Sequence, residues 1–422
     1  MSETWRPTLT IGSKTDVGMR RSNNQDSLSL LPAKSAKRFA SHGHLFIVAD
    51  GMGAHAAGEL ASGMATEQIA MNYYRQQQSI VANLHSALVE ANREIHDRGR
   101  SNPEFHQMGT TVSSLVLATD GAWIGHVGDS RVYRLRGARL EQLTFDHSLA
   151  WEVAATGQSN LNVPRNVITR SLGPSSEVEV DLEGPFDLQA GDRYLLCSDG
   201  LTGPVEDTEL GTLLHCLPPQ TAVDVLVDLA NLRGGPDNIT IVVVEVGAAE
   251  CEGVKMPNKE PAPYPRTLIA TSVICLAAAL GLFLFSVVGP AIIALILAIV
   301  VGVIAAVQTT RDQAGKRRGR GSGDGVDPVT RGGAPYRRYD AKPTKGMYEK
   351  LGQTISDLRQ AADERGWQLN WRKVDKLTLE GDQLAAKSQW SEAIATRSKA
   401  IVETMNELRR QNDRASGETA ID

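Results

Sequence analysis

Cysteine, aromatic side chains and an excess of charge of either sign are all scarce in this sequence. Only four of the 422 residues are cysteines, and they lack the short spacings of a metal site. Free thiols in a reducing compartment are therefore expected, not a disulfide framework. The net charge of −5 gives no reason to expect nucleic-acid binding. The first thirty residues contain no apolar run, so no signal peptide is expected.

Charge is absent altogether from one long interval. Between Arg266 and Arg311 lie 44 residues without Asp, Glu, Lys or Arg, which would extend over about 66 Å as a helix. One crossing of a bilayer core needs only about 20 residues, and the interval has no polar face to meet water. It therefore predicts a transmembrane hairpin over residues 267–308, with helices at about 267–286 and 290–308.

The regions that flank this hairpin differ in composition. Residues 249–265 are rich in proline and predict a linker. Residues 309–345 are rich in Gly and Arg and predict a basic, disordered linker, whose charge places this end of the hairpin on the cytoplasmic side. Because a hairpin crosses the membrane twice, residues 8–248 are expected on the same side. Residues 346–412 carry three helical apolar stripes, of which the second and third are similar to one tetratricopeptide unit. A three-helix bundle or a partner-binding appendage fits this all-α region equally well.

Four aspartates stand at the ends of buried strand patterns in the first half of the chain. One apolar run ends in Asp50 and a glycine turn, similar runs end near Asp129 and Asp199, and Asp237 stands just before a fourth run. Aspartates at the ends of distant strands can meet at one edge of a sheet. Such a cluster of hard oxygen ligands suits Mg²⁺ or Mn²⁺, whose charge offsets the repulsion between the carboxylates.

Strand and helix patterns fall in blocks along residues 8–248. Residues 57–76 and 82–99 have helical periodicity, whereas residues 110–143 consist of short apolar runs separated by hairpin signals. Such blocks favour an α+β fold over a parallel sheet with strictly alternating helices. The sequence thus predicts one α+β domain at 8–248, ahead of the hairpin and the helical tail.

Eight short motifs follow one another within this domain. They are Thr15–Asp26, Ala49–Glu59, Met108–Thr111, Gly128–Arg131, Asp146–Ser148, Asn166–Gly173, Ser198–Leu201 and Gly235–Thr240. In this order they resemble the motifs of the PPM family, the type 2C metal-dependent serine/threonine protein phosphatases, in its bacterial form. Each motif alone is common by chance, but eight in order are specific. The resemblance implies a β-sandwich flanked by helices, with a metal centre at one end.

The resemblance also implies how the aspartates would bind metal. Asp50 would bridge two ions, Mn²⁺ or Mg²⁺, and the carbonyl oxygen of Gly51 would help to hold the second. Asp199 and Asp237 would complete the first site. Asp129, together with Asp199, resembles the site of a third ion in bacterial members of the family.

Two further residues have implied roles beside the ions. Arg21 aligns with the phosphate-binding arginine of the family, whose forked donors suit bidentate contact with phosphate. Asp26 would hold a water molecule of the metal site. Met52 stands where eukaryotic members have the histidine proposed as general acid. The sequence therefore identifies no group that protonates the leaving oxygen.

These features predict a membrane-anchored phosphatase that hydrolyses phosphoserine and phosphothreonine through a metal-activated water, with Asp50 and Arg21 as catalytic residues. Its expected partners are the membrane and phosphorylated proteins, with serine/threonine kinases and a protein bound by the C-terminal helices as further candidates. The expected location is the cell (inner) membrane, with the catalytic domain and the tail in the cytoplasm. The alternative is a catalytically weak membrane scaffold, a pseudophosphatase that recruits partners through its C-terminal helices.

Overall fold

Two antiparallel β-sheets pack face to face in the computed structural model. In chain order the strands are Pro7–Asp16 (β1), Asp26–Leu31 (β2), His44–Met52 (β3), Gly109–Thr110 (β4), Val112–Ala118 (β5), Gly121–Val127 (β6), Arg131–Arg136 (β7), Arg139–Gln142 (β8), Asp181–Phe186 (β9), Arg193–Cys197 (β10), Ile239–Ala249 (β11) and Arg337–Asp340 (β12). The first sheet has the order β1-β11-β10-β7-β8-β12. The second has the order β2-β3-β5-β6-β9, and β4 pairs with β3.

Helices cover the outer faces of both sheets. They are Ala36–His42 (α1), Ala57–Arg75 (α2), Ile80–Ser101 (α3), Leu149–Ala155 (α4), Asp199–Thr202 (α5), Asp207–Cys216 (α6), Pro219–Leu232 (α7), Lys345–Glu364 (α8), Arg372–Ala386 (α9) and Trp390–Glu418 (α10), with a short 3-10 helix at Pro103–Phe105. The α2 and α3 helices pack on the second sheet, and α6 and α7 pack on the first. The expected α+β sandwich flanked by helices is thus the observed architecture of this part of the chain.

The alternation of side chains along β3 explains the layers. Leu45 and Ile47 face the helices α2 and α3, whereas Phe46 and Val48 face the opposite sheet. Successive side chains of a strand point to opposite faces, and all four of these are apolar because both faces of β3 are covered. A run of apolar residues in this chain therefore encodes a central strand, with Asp50 near its end.

The structure describes residues 7–53, 56–155, 164, 167–249, 332–367 and 369–418. The described residues belong to one unit, formed by residues 1–250 and 330–422. The predicted hairpin at 267–308 lies outside the described residues, as do the linker at 249–265 beyond Ala249 and most of the linker at 309–345. Within the described ranges, no helix combines the length and the hydrophobicity needed to span a bilayer.

The prediction of a disordered linker up to residue 345 is wrong in its last part. Residues 337–340 form β12, which pairs with β8 from Arg337 opposite Gln142 to Asp340 opposite Arg139. The predicted all-α region at 346–412 follows this strand, and its described residues form three helices, as expected. Four residues are too few to show the alternation of apolar and polar side chains that predicts a strand. Residues 337–340 form a strand because they pair with β8 at the edge of the sheet.

The tail helices share a hydrophobic core with the first sheet and its helices. Leu351 and Ile355 of α8 and Ile394 of α10 belong to one buried cluster. The same cluster includes Leu140 of β8 and Leu213 of α6. An ion pair reinforces this packing, since Nη2 of Arg409 lies 2.6 Å from Oδ1 of Asp228, whose side chain is only 1% exposed. The tail is therefore part of the same folded unit, not a separate appendage.

Two short helices, α1 and α5, have no periodicity that would predict them from the sequence. Residues 36–42 form α1, in which Ser35 accepts a hydrogen bond from the N–H of Arg38 and Phe39 is buried. Asp199 opens the short helix α5 instead of a turn. A single buried side chain in seven residues leaves no helical period to detect.

The shared core predicts that the tail contributes to the stability of the whole unit. Leu351 is fully buried, so Leu351→Ala is expected to lower the free energy of unfolding by about 2–5 kcal/mol through the lost contacts and the cavity. Leu379→Ala is the matched control, because Leu379 is 61% exposed and its truncation is expected to change stability by no more than about 0.5 kcal/mol. Urea denaturation of both variants, followed by circular dichroism, tests this. Equal losses would contradict it.

Candidate active site

Four chain segments bring aspartates to one end of the sandwich. Asp50 lies two residues before the end of β3, and Asp129 follows β6 after Gly128. Asp199 is the first residue of α5, directly after β10, and Asp237 stands two residues before β11. The charges of Asp199, Asp129 and Asp237 all act on Asp50. The predicted convergence of strand-end aspartates is therefore what the structure shows, whereas their roles are not fixed by it.

Asp26 joins this group from the neighbouring strand. It is the partner of Asp50 in the antiparallel register of β2 and β3. Its Oδ2 accepts a hydrogen bond of 2.7 Å from the hydroxyl of Ser198, which in turn accepts one of 2.9 Å from the N–H of Thr240. The side chain of Asp26 is thereby fixed between the two sheets.

Burial and mutual repulsion raise the pKa values of these carboxyl groups. Burial raises the pKa of Asp50 well above its ordinary value, and the charges of Asp26 and Asp199 add to this effect. Burial also raises the pKa of Asp26 and of Asp129 to about 7 in each case. In a low dielectric, like charges disfavour one another's ionised form. Without a cation, the cluster is therefore costly to keep ionised.

The donor set fits a hard divalent cation. Among the described residues, Oδ1 of Asp26, Oδ1 of Asp129 and Oδ1 of Asp199 are buried without a hydrogen-bond partner. Buried polar atoms are normally paired, and anionic oxygens left without donors are the ligands that Mg²⁺ and Mn²⁺ prefer. No three His, Cys, Asp or Glu side chains of the described residues form a preassembled ligand group. Mg²⁺ does not require one, since it usually keeps several waters and only one or two carboxylates.

The backbone around Asp50 is held from both sides. The carbonyl oxygen of Asp50 accepts hydrogen bonds from the N–H of Thr111 (2.8 Å) and the hydroxyl of Thr110 (2.9 Å). The N–H of Gly51 donates to the carbonyl of Gln25 at 3.0 Å. A Cβ atom at Gly51 would lie 2.0 Å from the carbonyl oxygen of Gly58, so only glycine fits where β3 crosses the start of α2.

Arg21 and Asp237 form one ion pair at the rim. Nη2 of Arg21 lies 2.7 Å from Oδ2 of Asp237, and the two side chains are 48% and 34% exposed. The predicted phosphate-binding arginine is thus joined to a predicted metal ligand. The ion pair holds an accessible guanidinium beside the carboxylate of Asp237.

Asn238 is a site residue that the sequence interpretation missed. Its side-chain oxygen accepts a hydrogen bond from the N–H of Gln25 (2.8 Å), and its amide donates to the carbonyls of Val17 and Asn23 (2.9 Å each). Asn238 is almost fully buried and holds the loop that carries Arg21 against the start of β11. In the sequence, Asn238 is distinguished only as a polar residue directly before an apolar strand. The groups that it binds lie more than 200 residues away along the chain.

His147 supports the turn before Asp129. Its Nδ1 accepts a hydrogen bond of 3.0 Å from the N–H of Gly128, and the carbonyl of Gly128 accepts one of 2.7 Å from the N–H of His147. Its Nε2 lies 2.9 Å from Oδ2 of Asp181. Because Nδ1 is an acceptor, Nε2 carries the proton and donates to Asp181. This buried histidine therefore positions backbone and does not face the cluster.

A cleft of about 480 Å³ opens beside the carboxylates. Its lining includes Asp129 and Asp199 from the cluster, Arg131 from β7, Trp151 from α4 and Arg337 from β12. Nη2 of Arg131 lies 2.7 Å from Oδ2 of Asp146, which is also part of the wall.

Comparisons with known proteins agree with this geometry. The sequence model of the family described as "Protein phosphatase 2C" matches residues 19–223. The chain is 34% identical over 255 residues to protein phosphatase PhpP of Streptococcus pneumoniae, covering 58% of this chain and 100% of that protein. It is 37% identical over 244 residues to the serine/threonine phosphatase stp of Listeria monocytogenes, covering 55% of this chain and 94% of that protein.

Solved structures lead to the same family. The serine/threonine phosphatase of S. agalactiae covers 57% of this chain and 100% of its own, with 34% identity and a TM-score of 0.51. The serine/threonine phosphatase PstP/Ppp of Mycobacterium tuberculosis covers 57% and 99%, with 33% identity and a TM-score of 0.50. Since PhpP is matched over its whole length, this chain belongs to the protein phosphatase 2C family and is a protein serine/threonine phosphatase.

Proposed function

We propose that the chain removes phosphate from phosphoserine and phosphothreonine at the carboxylate cluster, with two Mn²⁺ or Mg²⁺ ions as cofactor. The observation that carries the proposal is the set of buried carboxylate oxygens without partners on Asp26, Asp129 and Asp199. Phosphatases of this family are metal-dependent, and a cation would satisfy these oxygens and relieve their repulsion. The intact set of carboxylates gives the scaffold alternative no support.

Each carboxylate has a proposed role in holding the ions. Asp50, the carbonyl oxygen of Gly51, Asp199 and Asp237 would together hold two ions. Asp129, with Asp199, would hold a third. When bound, the ions would supply an acidified water for in-line attack and would neutralise charge on the phosphate. Asp26 would orient water at the site, because Ser198 fixes its carboxylate.

Arg21 would bind the phosphate of the substrate. One nitrogen of its guanidinium contacts Asp237, and a guanidinium has five N–H donors, so donors remain for phosphate oxygens. The ion pair holds the planar fork at the rim, where bidentate contact with phosphate is favourable. Met52 carries no exchangeable proton, so it cannot protonate the leaving oxygen.

The uncharged interval at 267–308 supports a further proposal on location. A hairpin of two helices would anchor the enzyme in the cell (inner) membrane with both described parts in the cytoplasm. The substrates would be cytoplasmic phosphoproteins, and serine/threonine kinases or proteins bound by the tail helices are candidate partners.

Removal of one proposed ligand is expected to abolish hydrolysis. Asp199→Asn keeps the shape of the side chain but removes its charge, and kcat/KM should fall by about 100-fold or more, beyond the loss typical of residues that only support ligands. Asp97→Asn is the control, because Asp97 is exposed on α3 away from the cluster. The assay follows phosphate release from a phosphothreonine peptide with Mn²⁺ and with EDTA. Full activity in EDTA, or in Asp199→Asn, would contradict the proposal.

Binding of Mn²⁺ is expected to stabilise the fold without any substrate. At a free concentration of 100 times Kd, a ligand adds about 2.7 kcal/mol, which for a unit of this size raises Tm by about 4 °C. Asp50→Asn should reduce this shift, and it should raise the Tm of the metal-free protein because it relieves repulsion. Differential scanning fluorimetry with Mn²⁺ and with EDTA measures both. An unchanged Mn²⁺ shift in Asp50→Asn would remove that residue from the site.

The proposed anchor is tested by fractionation. The full chain is expected to sediment with membranes and to resist extraction with alkaline carbonate, whereas a chain without residues 267–308 should be soluble and still active. Both described parts lie outside the deleted range, so the folded unit is preserved. Extraction of the full chain by carbonate would argue against a hairpin.

A further inference from the structure

The tail strand β12 places a basic side chain in the cleft of the enzyme. Arg337, its first residue, lines the same cavity as Asp129 and Asp199. The phosphatases PhpP and stp are matched over 58% and 55% of this chain respectively, and Arg337 lies beyond the residues matched by the family. This part of the wall is therefore supplied by the chain's own tail.

The backbone of Arg337 is fixed by the sheet. Arg337 pairs with Gln142 in the β8–β12 ladder, and the N–H of the preceding Tyr336 donates to the carbonyl of Gln142 at 2.9 Å. The ring of Tyr336 lies edge-on to Phe145, with centroids 5.5 Å apart, and its hydroxyl donates to the carboxylate of Glu183. Arg337 is thus presented by a rigid element and not by a free loop.

The guanidinium of Arg337 stacks on the cleft wall. Its Cζ lies 3.9 Å from the ring centroid of Trp151 in α4. A guanidinium that lies over an aromatic face keeps its N–H donors in its own plane, where they can still contact an anion. Arg337 is an exposed residue and lines the cleft, so its side chain is accessible to a ligand there.

The charges of the wall leave Arg337 available. Arg131, the other basic residue of the lining, is paired with Asp146 at 2.7 Å and with Asp207 at 3.5 Å. Among the residues that the structure describes, the guanidinium of Arg337 contacts the hydroxyl of Tyr339 and the ring of Trp151 but forms no ion pair with a carboxylate. Since a guanidinium has five N–H donors, donors remain for a ligand. Burial raises the pKa of Asp146, and the charges of Arg131 and then of Arg337 act against it, which confirms that Arg337 lies within electrostatic range of the cleft floor.

We propose that Arg337 determines substrate specificity by binding an anionic side chain, either a carboxylate or a second phosphate, that lies close in sequence to the phosphorylated residue of the substrate. This inference rests on the proposed function. Arg21 and the carboxylate cluster bind the phosphate that is removed. Arg337 binds the anionic side chain that lies beside the phosphorylated residue in the substrate. An exposed guanidinium beside anionic substrates favours them by charge-assisted hydrogen bonds.

The test compares three phosphothreonine peptides that differ only in the flanking residues, which are neutral, glutamate or phosphoserine. For Arg337→Ala, kcat/KM is expected to fall by about three- to tenfold for the anionic peptides, mainly through KM, and to stay unchanged for the neutral peptide and for p-nitrophenyl phosphate. Arg337→Glu should discriminate further against the anionic peptides. A larger loss for phosphoserine than for glutamate identifies a second phosphate as the preferred group, and the reverse identifies a carboxylate.

Arg338→Ala is the matched control, since Arg338 is the next residue of the same strand and its Nε contacts Glu141 at 3.2 Å. This variant should leave the peptide ratios as they are. A uniform loss of activity in Arg337→Ala would mean that Arg337 only braces Trp151, and a uniform gain would mean that the tail obstructs the cleft; either result overturns the proposal, as does no change. A wild-type chain that turns over none of the substrates would instead refute the proposed function itself.

Discussion

The repulsion among buried carboxylates at one end of the sandwich is the constraint on which the site depends. Asp26, Asp50, Asp129 and Asp199 lie in electrostatic contact, and burial alone makes their ionised forms costly. The fold tolerates this because Asp26 and Asp50 lie in a strand ladder, Asp199 is the first residue of a helix, and Asp129 lies in the short connection between β6 and β7. The hydrogen bonds from Ser198, Thr110 and Thr111 fix the geometry independently of any cation. The protein therefore carries a preorganised, electron-rich site whose natural complement is a small divalent ion.

The order of apolar and polar residues along short segments was sufficient to predict features of the fold that depend on neighbouring residues. The unbroken apolar run of β3 predicts a strand covered on both faces, and its residues do alternate between the helices and the opposite sheet. The positions of Asp50, Asp129, Asp199 and Asp237 beside apolar runs also allowed their convergence to be predicted, since the ends of distant strands can meet at one edge of a sheet.

The features that were missed depend on partners far away in the sequence. Nothing near Asn238 indicates that it binds three backbone groups of the loop at residues 17–25. Likewise, β12 is a strand only because β8 offers an unpaired edge almost 200 residues earlier.

The position of β12 in the sheet also has a mechanical consequence. The chain leaves the first sheet through β11, which has neighbours on both sides, and re-enters it through β12, an edge strand of four residues with one neighbour. Tension applied to residues 250–331 would therefore be carried first by the weaker of the two strands, since local opening follows the elements with the fewest buried contacts and hydrogen bonds. A pull on this segment would peel β12 away from β8 and withdraw Arg337 from the cleft before it disturbed β11. The order of the strands thus makes β12 the first strand of the unit to detach under tension.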